Sequence, residues 1–94
     1  MNILQLAGSL PRDPQFREFV RESLAALVRE KNLDIDVQDV SADDAAAFIR
    51  IICEIESRRE LATNASAQQS FHRFIRRPFL AWRAKQHQPL RRAA

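Results

Sequence analysis

Ninety-four residues with a single glycine, Gly8, leave little scope for a fold of tight hairpins. The favoured two-residue turns need φ > 0 and draw on glycine or asparagine. The same scarcity excludes collagen-like repeats, glycine-rich linkers and phosphate-cradling glycine loops. The length fits one domain that buries about 60–65% of its unfolded surface, enough for one modest core and no deep cleft. Hydrophobic and charged shares of 46% and 29% are those of an ordinary globular chain and argue against wholesale disorder. The only cysteine, Cys53, permits no internal disulfide, and no C-x-x-C or histidine pair at ligand spacing marks a zinc site. No apolar run approaches the ~18 residues of a membrane span. Residues 1–10 lack the basic start of a secretory signal, so a cytoplasmic protein is expected.

What the chain carries instead is helical periodicity between capping signals. Residues 1–10 place Ile3, Leu4, Leu6, Ala7 and Leu10 on one face of a short helix, which Gly8 weakens and Pro11 ends. Asp13-Pro14 is a helix start, and residues 15–31 then set Phe16, Phe19, Val20, Leu24, Leu27 and Val28 on one apolar face. Residues 32–40 alternate Leu33, Ile35 and Val37 with polar residues. With no second strand to pair with, they read as an extended connector that pins two or three apolar side chains to the core. Ser41 caps the next helix, and residues 45–55 are apolar nearly all round, which predicts a central helix with Cys53 as a small core residue. Ser57 and Glu60 form a capping box for a short helix, and Ser66 and Gln69 form another that opens the last one. There Phe71, Phe74, Ile75, Phe79 and Trp82 share one face, and Pro78 predicts a kink. The expected fold is therefore all-α: a compact orthogonal bundle of four to five short helices in residues 1–86, with residues 87–94 a disordered basic tail.

Charge is polarised along this frame. Residues 1–70 hold all 12 acids and eight of the 15 basic residues, whereas residues 71–94 hold seven basic residues and no acid. A basic end of this kind meets something anionic, or else packs on the chain's own acidic surface. On the last helix His72, Arg73, Arg76, Arg77, Arg83 and His87 lie opposite the aromatic stripe. Arginine's planar fork suits phosphate, so Arg73, Arg76, Arg77 and Arg83 are the candidate nucleic-acid contacts. The same face also suits an acidic protein surface, and Leu80 among the arginines is the apolar anchor such an interface uses.

A second candidate is the turn before Arg58 and Arg59. An apolar helix, a tight turn and a capped helix opening on two arginines is how a helix-turn-helix reader begins. The alternative is that the two pair with Glu54 or Glu56, for little gain at a surface. Catalytic constellations are missing: His72 and His87 have no acid nearby in sequence, and no turn presents a nucleophile to a base. No enzyme activity, metal or cofactor is expected. The run Cys53-x-Ile55-x-Ser57-Arg58-x-Glu60-Leu61, Asn64, and Phe71-His72-x-x-Ile75-Arg76-x-Pro78-Phe79-x-x-Trp82 resembles small uncharacterised proteins encoded by phages and prophages. That resemblance implies a phage accessory role and assigns no chemistry to any residue. Two functions remain: a non-enzymatic module that contacts nucleic acid through its basic C-terminal helix, or an adaptor or inhibitor of a host or defence complex using the same face.

Overall fold

The computed structural model describes residues 2–86. The elements are α1 (Ile3–Ser9), a 3-10 turn (Leu10–Arg12), α2 (Pro14–Glu30), α3 (Ala42–Cys53), a second 3-10 turn (Arg58–Ala62), α4 (Ala65–Ser70), a π-helical segment (Phe71–Arg76) and α5 (Arg77–Gln86). No strand occurs among the described residues, and the fold is the expected small all-α bundle. Residues 87–94, expected as a disordered tail, and His87 on the basic arc lie outside the described residues.

Local chemistry explains the helix starts. Asn2 Oδ1 accepts the Gln5 N–H at 2.9 Å and Gln5 Oε1 accepts the Asn2 N–H at 3.1 Å, so α1 opens on a reciprocal box. It continues through Gly8 to Ser9. Asp13 Oδ1 accepts the Gln15 N–H at 2.8 Å, with Pro14 at the first position of α2. Ser41 and Asp44 form the box of α3, at 3.0 and 3.1 Å. Glu60 Oε2 accepts the N–H groups of Glu56 and Ser57 at 2.9 and 3.0 Å, as its capping role predicts. The box expected at Ser66 and Gln69 does not form. Asn64 caps α4 instead, its Oδ1 accepting the Ala67 N–H at 3.0 Å, because α4 begins two residues earlier than the serine signal implied.

The core is made by Ala7, Leu10, Phe16, Phe19, Val20, Ala45, Ile49, Cys53, Ile55, Leu61, Ala67, Phe71, Ile75 and Phe79. Its aromatic part joins α2 to α5: Phe16 meets Phe79 edge-on at 5.2 Å between ring centroids, and Phe19 lies 5.5 Å from Phe79 and 6.0 Å from Trp82. Burial makes the Cys53 thiol harder to ionise, pushing it up to about 11, so at neutral pH it is an inert core group.

Three core expectations fail in instructive ways. First, α3 is not surrounded. It buries Ala45, Ala46, Ile49 and Cys53 and leaves Ile51 73% exposed, because the other helices of so short a chain cover only one of its sides. Second, the connector leaves Leu33 and Ile35 exposed and half-buries only Val37 and Val40. Period-2 alternation buries a face when a sheet completes it, and here the interleaved Asp34 and Asp36 hold the segment in water. Third, burial on α2 fades after Val20: Leu24 and Val28 are half-buried and Leu27 is exposed.

Candidate functional site

The C-terminal third is one continuous helical rod from α4 through the π segment into α5. Phe71, Ile75 and Phe79 are buried along one side of it, and the half-buried Trp82 donates from Nε1 to Glu22 Oε1 at 3.1 Å. Away from that anchored side Arg73, Arg76 and Arg77 are exposed, while the half-buried Arg83 lies beside Phe79. Among the described residues the one ion pair joins Arg21 to Glu18 within α2. This guanidinium holds the Glu18 carboxyl below its ordinary value. None of the four candidate arginines therefore has an acidic partner among the described residues, and the basic face is not neutralised by that part of the body.

The arginines form two groups. Arg73 and Arg77 line a shallow groove of about 420 Å³ together with Ser66, Gln69, His72 and Phe74. Arg76 and Arg83 line a second of about 290 Å³, whose remaining walls are Leu6, Leu10, Phe79 and Leu80. The Arg83 guanidinium carbon lies 5.1 Å from the Phe79 ring centroid. Leu80, 39% exposed, is presented beside cations as the sequence predicts.

Phe74 too is misplaced by sequence reasoning. Expected in the core, it is 52% exposed at the wall of the first groove, with the Arg73 guanidinium carbon 5.3 Å from its ring centroid. The cause is the winding. The Arg77 N–H donates to the His72 carbonyl, five residues back, and this wider spiral turns less per residue than an α-helix. Three residues beyond Phe71, Phe74 then falls further short of a full turn and leaves the core, while Ile75 still comes round to it. Pro78 was the available signal: lacking an N–H, it denies the Phe74 carbonyl its α-helical donor. The expected accommodation was a kink at Pro78; the structure instead widens the turns before it.

Arg58 and Arg59 part company. Arg58 is half-buried and donates from Nη1 to the Ala7 carbonyl at 3.0 Å, tying the second 3-10 turn to the end of α1, where the helix dipole favours a cation. Arg59 is exposed and pairs with neither Glu54 nor Glu56. Only five residues of 3-10 helix follow the turn, so no recognition helix stands there to enter a groove of DNA. Among the described residues, no helix is long and apolar enough to cross a membrane. No family model, curated protein or solved structure matches this chain.

Proposed function

We propose that this protein is a non-enzymatic nucleic-acid-binding module whose contact surface is the basic side of the α4–α5 rod. The observation that carries this reading is a set of four arginines, Arg73, Arg76, Arg77 and Arg83, on one continuous helical rod with no acidic partner among the described residues. Guanidinium groups without acidic partners bind phosphate by charge-assisted hydrogen bonds and by release of condensed counterions. The resemblance over residues 53–82 supports a phage or prophage accessory setting inside the cell. Binding to mixed-sequence DNA or RNA is expected to weaken linearly with salt on logarithmic axes. Replacing Arg73 and Arg77 together with Ala should flatten that slope by about two, since each phosphate contact contributes nearly one unit. Absence of any retardation by micromolar protein at low salt would refute the reading.

One observation favours a second reading, an adaptor or inhibitor that binds protein. The groove of Leu6, Leu10, Phe79 and Leu80 rimmed by Arg76 and Arg83 combines an apolar floor with cations, as an interface for an acidic partner does. Under that reading, Leu80→Asp removes a nuclease-resistant protein complex and leaves the response of nucleic-acid binding to salt unchanged.

A further inference from the structure

We infer that the Arg73–Arg77 groove selects single-stranded nucleic acid, with Phe74 as the platform on which one unpaired base stacks. The inference rests on the phosphate-binding reading above and adds to it the form of the ligand. A phenylalanine half in water is unfavourable, and the same rod buries its other two phenylalanines, Phe71 and Phe79. The π winding nevertheless delivers Phe74 to a groove whose charged walls are two arginines free of acidic partners. Phosphate needs the cations and has no use for the ring; a stacked base needs the ring. Duplex DNA or RNA hides its base faces inside the stack, so only an unpaired base offers a flat surface to Phe74. Arg73 lies against the same ring, and its flat guanidinium adds a second group that stacks on bases while it faces the backbone. Ser66 and Gln69 supply neutral hydrogen-bonding groups around this site. Stacking of this kind is tolerant of sequence, because every base has a π-face.

The test is fluorescence anisotropy with three probes of one mixed sequence: single-stranded DNA, single-stranded RNA and blunt duplex DNA. The wild-type protein is expected to prefer single strands, and comparison of the DNA and RNA arms shows which sugar the groove accepts. Phe74→Leu keeps an apolar side chain at the site and removes the ring; it should weaken single-strand binding about tenfold and leave duplex binding unchanged. Phe74→Trp should retain the wild-type affinity, which a purely structural role for the position does not predict. Equal single-strand affinity in Phe74→Leu and wild type, or a preference for duplex, overturns the stacking inference and leaves phosphate binding standing. Failure of all three probes overturns both. Tighter binding of a polyglutamate peptide than of any oligonucleotide also overturns it, and assigns the groove to an acidic protein.

Discussion

At Glu54 the backbone enters the left-handed region, φ 58° and ψ 47°, to end α3. The Ile55 N–H then donates back to the Arg50 carbonyl at 2.9 Å, and the Ile55 side chain folds into the core. Glycine suits such a position, and a residue with a Cβ costs about 1 kcal/mol more there. The chain's one glycine is elsewhere, inside α1 at Gly8, where an added Cβ meets nothing within 4 Å. Gly8→Ala should therefore stabilise the fold by about 0.5–1 kcal/mol through helix propensity. Glu54→Gly should stabilise it by up to about 1 kcal/mol, less what the freer unfolded chain takes back. Each corresponds to a rise of a few degrees in Tm by circular dichroism, and the two should add because they share no hydrogen-bond partner. A fall in Tm for Glu54→Gly would mean that the glutamate side chain supports the turn. The same residue explains an error of boundary. Asn32, at φ 56°, marks the end of α2 in the sequence because asparagine tolerates this conformation, whereas a glutamate gives no such mark and α3 reads on to Ile55.

At the scale of elements, caps and periodicity made α2 and α3 legible and periodicity alone the last helix, since each depends on interactions within a few residues. What periodicity could not convey was a change of period. An apolar stripe counted at 3.6 residues per turn assigns Phe74 to the core, and the π segment before Pro78 removes it. The prediction for Pro78→Ala follows from the same geometry. Alanine restores an N–H and good helix propensity, each favourable in the middle of a rod. A proline inside a regular helix costs about 3 kcal/mol, and part of that is the clash of its ring with the carbonyl four residues back. The wide winding has already relieved that clash, so Pro78→Ala should gain about 1 kcal/mol or less in a denaturant melt. A gain near the full 3 kcal/mol would show that the ring still strains the rod; a loss would show that the fixed φ of proline holds the junction. The candidate site was legible at the level of its charges, because arginines stay exposed whichever way the helix winds. Their division into two grooves was not, because α4 brings Ser66 and Gln69 to one, while α1 and the 3-10 turn after it bring Leu6 and Leu10 to the other.

For the whole molecule, the rod presents its proposed contact surface and closes the core at once, and this governs how function can be probed. Phe71 and Ile75 have no exposed surface and Phe79 retains 2%. Each fully buried side chain of this size contributes about 1.5–3 kcal/mol, so the three together match the net stability of about 5–15 kcal/mol typical of a domain. Removing the rod would also uncover Phe16 and Phe19 on α2, whose ring contacts are with Phe79 and Trp82 as well as with each other. A chain ending at Ser70 is therefore expected to show no cooperative thermal transition by circular dichroism, with residual helix that melts gradually. If it melted as sharply as the full chain, the aromatic contacts between α2 and α5 would not be integral to the core, and the rod would be an appendage. On the expected outcome, loss of nucleic-acid binding by that truncation says nothing about the arginines, because the surface and the fold disappear together. Substitutions on the outer side separate the two: Arg73, Arg77 and Phe74 are exposed, so changing them alters the grooves while Phe71, Ile75 and Phe79 continue to hold the rod against α2 and α3.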